Sequence, residues 1–206
     1  MKYIWMELKI VLFLHHQKHT TMSTYKLKDG RSLEIIQDQD PMNPRTEFDN
    51  MGTMVCFHKR YVMGDKHNYK HENFAGWEDM RKKLTNKLKL AVILPIYMYD
   101  HSGVTISTKP FSCPWDSGQI GFIYVTKTSV REEYKVSRMS KKVIENVTKC
   151  LLAEVETYDQ YLTGDVWGYK LYNENGEEGD SCWGFFGDDV KKNGILDNVN
   201  GELVEG

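Results

Sequence analysis

Residues 140–164 read SKKVIENVTKCLLAEVETYDQYLTG, and this stretch decides the fold class. Val143, Ile144, Val147, Leu151, Val155, Tyr158 and Leu162 recur at the spacing of one helical stripe. Ser140 stands where an N-cap is wanted and Gly164 where a helix is released. A helix with a single apolar stripe must pack that stripe on something, and its neighbours read as strands. After it, residues 166–171 (VWGYKL) form a strand pattern that turns at Asn175-Gly176 and returns through residues 182–185 (CWGF). Before it, residues 118–125 (GQIGFIYV) are apolar at both alternating sets of positions, as expected of a central strand.

Working further outward, residues 104–107 and 90–99 continue the strand patterns, the latter interrupted by Pro95, which implies a bulge or an unpaired edge. Residues 77–88 place Met80, Leu84 and Leu88 at helical spacing, and a short helix is expected near residues 130–134. A strand over residues 52–61 puts Met54, Cys56 and His58 on one face and Val55 and Phe57 on the other. Residues 24–37 read as a hairpin around Asp29-Gly30, followed by a proline-containing loop over 38–45. A last helix is expected over residues 188–192, with 193–206 as a weakly ordered tail. Two hairpins interleaved with helices predict a single α+β domain over residues 22–192, with a mixed, mostly antiparallel sheet and one long amphipathic helix.

The chain has 206 residues and a formal net charge of −2, with cations and carboxylates interspersed. No basic block offers a nucleic-acid footprint, so nucleic acid is not an expected partner. The apolar run at residues 10–14 is too short to span a bilayer and lacks an export cleavage site, which points to the cytoplasm and away from the membrane. Met22 opens a clean strand pattern that residues 1–21 do not share. Those residues read either as an upstream extension or as a short amphipathic helix packed on the domain. Cys56, Cys113, Cys150 and Cys182 form no CxxC pair and are expected as reduced thiols.

Residues 48–67 (FDNMGTMVCFHKRYVMGDKH), 99–103 (YDHSG) with 110–125 (PFSCPWDSGQIGFIYV), and 154–165 (EVETYDQYLTGD) with 180–185 (DSCWGF) resemble an uncharacterised family of phage and bacterial proteins. The resemblance runs from about residue 33 to 187 and implies an origin in a phage or mobile element. It implies no activity, and no catalytic residue is carried over from it.

The residues themselves offer several constellations. Asp49, His58, Tyr99, Trp115, Asp116, Ser117 and Gln119 lie in turn-rich segments which, if gathered at one end of the sheet, suit a small nucleotide-like ligand stacked on Trp115. The alternative is Trp115 in the core, with Asp116, Ser117 and Gln119 satisfying turn amides. Zinc is the one cofactor with any signal: Cys56 and His58 share a strand face, and Cys113 or Cys182 could join them. Against this stands a lone pair of ligands where structural zinc sites show two, so no cofactor is the base expectation. His101 with Asp100 or Asp116, and Cys113 nearby, are the candidates for acid-base or nucleophilic chemistry. Cys113 precedes a proline, which takes it away from a helix N-terminus, and Ser102 and Ser117 lack the upstream glycine of a nucleophile elbow. Glu156 and Asp159 are close enough on the long helix to cooperate, or they belong to a solvated face with Glu154. Phosphate-binding glycine loops are absent from the sequence. The expected function is a phage-type binding or interference protein that captures a host protein or a small nucleotide-like ligand. A metal-assisted or His-dependent hydrolase is the alternative.

Overall fold

A computed structural model describes residues 23–204. In chain order the elements are β1 (Ser23–Lys26), β2 (Ser32–Gln37), α1 (Pro44–Glu47), β3 (Thr53–Cys56), α2 (Trp77–Leu88), β4 (Leu90–Asp100), β5 (Val104–Ser107), β6 (Ser117–Thr126), α3 (Lys127–Tyr134), α4 (Lys141–Thr163), β7 (Val166–Tyr172), β8 (Glu178–Phe186) and α5 (Ile195–Asn198). The α+β class holds, with both hairpins and the long helix. The strands are divided between two antiparallel sheets, β1-β2-β7-β8 and β3-β6-β4-β5. Contacts gather the chain into two compact units, residues 23–42 with 164–204, and Asn43–Thr163. Alternation identifies strands but not their partners, which is why one sheet was the sequence expectation.

Within Asn43–Thr163, the central position of β6 follows from its two apolar faces. Ile120, Ile123 and Val125 share a core with Val147, Leu151, Val155 and Tyr158 of α4. Phe122 and Tyr124 share another with Met80 and Leu84 of α2. The sheet is thus covered by α4 on one face and α2 on the other. A Cβ on Gly121 would overlap the Val55 carbonyl oxygen, so β3 and β6 approach as closely as they do only because that residue is glycine. Ser140 caps α4, its hydroxyl accepting from Val143 N at 3.3 Å, and the chain leaves the helix at Gly164 with φ +75°.

In the other unit, β2 and β7 pair Leu33 with Leu171 and Ile35 with Tyr169, joining the two hairpins. Their buried side chains meet Val190, Ile195 and Val199. The expected tail is therefore corrected: from Asn193 to residue 204 the chain covers the apolar face of this sheet, and Leu203 bridges to Leu27. Sparse apolar residues separated by polar ones look like a tail in sequence, yet Ile195, Leu196, Val199 and Leu203 are anchors. The helix expected over 188–192 is a turn, because Asp189 Oδ1 accepts from Lys191 N at 3.0 Å and competes with helical bonding. The strand expected over 52–61 stops at Cys56. On the opposite face of this second sheet, the Trp183 ring lies across Gly168, where a Cβ would overlap it.

The readings made for residues 1–21 lie outside the described residues. Among the described residues no helix is long and apolar enough to cross a membrane.

Candidate functional site

Antiparallel pairing decides which loops meet. Cys56 closes β3 opposite Gly121, Asp100 closes β4 opposite Val104, and Ser117 opens β6 opposite Tyr99. The ends of β3 and β4 and the starts of β5 and β6 therefore share one end of the sheet. Three loops leave from there, and they carry His58, Arg60 and Tyr61; His101 and Ser102; and Cys113 to Asp116.

Backbone bonds hold these loops in place. Asp100 N donates to the Asp116 carbonyl at 2.9 Å, and His101 N to the Gly103 carbonyl at 3.1 Å, with Ser102 in the left-handed region at φ +59°. The Ser117 hydroxyl donates to the Cys113 carbonyl. His101 Nδ1 lies 3.2 Å from Asp116 Oδ2, and the Cys113 thiol points at the same oxygen from 3.9 Å. Tyr99 stacks on His101 at 6.0 Å between ring centroids and touches Phe111 on another side at 5.8 Å.

A second cluster adjoins the first. Arg60 pairs with Asp100, and Tyr61 donates its hydroxyl to the other Asp100 oxygen at 3.4 Å. His58 stacks on Tyr61 with centroids 4.8 Å apart, and its Nδ1 accepts from the backbone N–H groups of Arg60 and Tyr61, each at 3.3 Å. Partial burial pulls the His58 pKa down, with the Asp100 carboxylate opposing. Trp115 is 91 % exposed, which takes it out of the core and leaves its ring on the surface.

Of the residues singled out in the sequence, His58, Tyr99, Asp100, His101, Cys113, Trp115, Asp116 and Ser117 meet here. Gln119 does not join them, since its amide donates to the Gly121 carbonyl of its own strand at 3.1 Å. Asp49 is exposed and precedes β3, at the strand's opposite end. Arg60 and Tyr61 were missed. Nothing in their spacing marks them, and only the register that brings Asp100 beside them gives them a role.

The zinc set is not assembled. Cys56 is buried in the core beneath α4, and burial pushes its thiol up to about 12. Its carbonyl accepts from His67 Nε2 at 3.0 Å, while Cys182 lies half-buried against the core of the other unit. Because β3 ends at Cys56, His58 no longer shares its strand face. Among the described residues no group of three or more His, Cys, Asp or Glu side chains is arranged to hold a metal ion.

The acids of α4 serve the fold. Glu154 accepts from Met51 N at 2.9 Å and Gly52 N at 3.0 Å and pairs with Arg45 at 2.8 Å. Asp159 accepts from Thr105 Oγ1 at 2.7 Å and Ile106 N at 2.6 Å, whereas Glu156 is exposed, so the two do not form a carboxylate pair. Asp65 binds Arg45 as well and accepts from Met54 N at 2.8 Å. Comparison with protein-family models, curated proteins and solved structures finds no match to this chain.

Chemically, the order of groups at the sheet end matters. A thiol nucleophile needs the imidazole beside it and the carboxylate behind the imidazole. Here the Asp116 carboxylate stands between Cys113 and His101, so the imidazole is not positioned to take the thiol proton. What the cluster does offer is an exposed indole on a pinned loop that also carries Cys113 and Asp116.

Proposed function

We propose that this chain is a phage-type binding protein that captures a host protein in the cytoplasm through the loops at the sheet end, with Trp115 as the anchor. The observation that carries the reading is the 91 % exposure of Trp115 on a loop tied at Asp116 and Ser117. Burying an indole removes about 200 Å² from water, a gross gain of about 5 kcal/mol. With its backbone tied beforehand, the loop loses little entropy on docking. Val62, 83 % exposed in the adjoining loop, adds apolar area, and Arg60 and His101 suit a polar rim. The resemblance to phage proteins supplies the setting. A nucleotide-like ligand stacked on the same ring is the second reading, favoured by the proximity of His101 and Asp116. A His-dependent hydrolase ranks below both because of the order in which Cys113, Asp116 and His101 stand.

Immobilised protein and a Trp115→Ala variant, each exposed to bacterial lysate, separate these readings. The expected result is one stoichiometric host protein that, once purified, binds the variant about thirtyfold more weakly. Equal binding to both forms would remove Trp115 from the interface. A nucleotide-induced thermal shift that vanishes in Trp115→Ala, with no protein captured, transfers the site to the small ligand.

A further inference from the structure

β4 is longer than its neighbour on one side. It pairs with β6 from Leu90 to Tyr99, whereas β5 covers it only from Tyr97 to Asp100. The direction of the uncovered backbone groups follows from the register. Phe57 N donates to the Ile120 carbonyl at 2.7 Å, so hydrogen-bonded pairs between β3 and β6 recur at Val55/Phe122 and Thr53/Tyr124. Phe122 thus turns its N–H and C=O towards β3. Pro95, opposite Phe122, turns its backbone away from β6, which is the orientation in which a proline removes no donor from the ladder. By the period of two, Ile93 shares that direction. Its N–H and C=O and the Pro95 carbonyl face the side where β5 has already ended, and among the described residues no strand pairs with that edge.

Beside this edge α2 forms a wall. Arg81, Lys82, Thr85 and Asn86 face residues 90–93 across a groove, with Glu78 at its rim. Lys82 reaches Glu78 at 3.6 Å, but both side chains are largely in water and the pair holds them weakly. Two cations against one carboxylate give the rim a positive sign.

We propose that this groove takes an extended acidic segment of a partner protein by β-strand addition along the open edge of β4. The segment bonds to Ile93 N–H and C=O, continues the line of β5, and sets alternate acidic side chains against Arg81 and Lys82. This site is separate from the Trp115 surface, since Ile93 stands roughly 23 Å along the strand from Asp100.

The test uses the full-length, isotope-labelled protein and a pool of peptides roughly eight residues long, with Glu at alternate positions and Val, Ile, Phe or Tyr between them. Amide shifts at Ala91, Ile93, Arg81 and Thr85, together with new exchange protection at the Ile93 amide, are the expected result. Binding should weaken about tenfold in an Arg81→Glu/Lys82→Glu variant, both positions being exposed on the helix, and stay unchanged in Trp115→Ala. The proposal is overturned by the absence of shifts, by shifts confined elsewhere, or by equal binding of a pool with Lys in place of Glu. An Ile93 amide already protected before peptide is added also overturns it, because the edge is then covered by the chain itself.

Discussion

Arg45 donates from Nε and Nη2 to the two oxygens of Asp65, at 2.9 and 2.7 Å. Its remaining donors go to Asn50 at 3.0 Å, Glu154 at 2.8 Å and the Gly52 carbonyl at 2.7 Å, so every N–H of the buried guanidinium is used. One side chain thereby ties α1, the approach to β3 and α4 together. Arg45→Ala leaves two partly buried carboxylates without their cation and is expected to lower unfolding free energy by about 3–5 kcal/mol. Arg45→Lys should rescue little of this, since an ammonium offers no planar fork to Asp65. Urea unfolding checks both, and a lysine variant as stable as the parent would refute the fork as the cause.

Asp159 does for the edge of β5 what Arg45 does for the loops. Its Oδ1 accepts from Ile106 N, an outward-facing donor on a strand that has a neighbour on one side only. Asp159→Ala should cost about 1–3 kcal/mol and raise the tendency to self-associate, while Asp159→Asn, which keeps an acceptor oxygen, should cost less. Thermal unfolding and light scattering at rising concentration measure the two effects. If alanine and asparagine behave alike, the hydrogen bond is not what protects the edge.

Part of this was legible in the sequence. The stripe from Val143 to Leu162 could only be a helix, Ser140 and Gly164 bounded it, and Pro95 marked a bulge or an open edge, of which β4 has both: a register shift between Ile96 and Tyr97, and unpaired groups on the β5 side. The meeting of Asp100, His101, Cys113 and Asp116 was readable only as a possibility, because which loops share a sheet end depends on strand partners. Arg45 was invisible: an arginine in a proline-flanked loop reads as solvated, and its partners Asp65 and Glu154 are distant in sequence. The C-terminal segment was misread for a similar reason, since Ile195 and Val199 show no period long enough to announce an element.

Cys56 gives a chemical check on the core. Desolvation beneath α4 raises its thiol to about 12, with the Asp65 carboxylate adding to the shift. At about pH 8 the native protein should leave Cys56 unmodified by a thiol reagent while the half-buried thiols of Cys113, Cys150 and Cys182 react sooner, and full labelling should need denaturant. Mass mapping of the labelled peptides decides it. Rapid native labelling at Cys56 would contradict the packing of β3 against α4.

His58 links pH to the sheet-end loops. Its Nδ1 accepts from Arg60 N and Tyr61 N, so only the neutral ring with its proton on Nε2 fits. Partial burial lowers its pKa below the ordinary 6.5, Asp100 opposing and the Arg60 cation adding to the decrease. A histidine whose folded value lies below its unfolded value favours the folded state above about pH 6.5, and that contribution is lost as pH falls through the lowered value. Stability should therefore drop between about pH 7 and pH 5 by more in the parent than in His58→Ala, whose curve lacks this group. Protonation also breaks both backbone bonds and releases the loop that carries Arg60 and Val62, so capture through the sheet end should weaken over the same window. Urea midpoints across pH, with a histidine proton titration by NMR, test both effects. A His58 titration midpoint at or above 6.5 would refute the burial of the neutral ring as the cause.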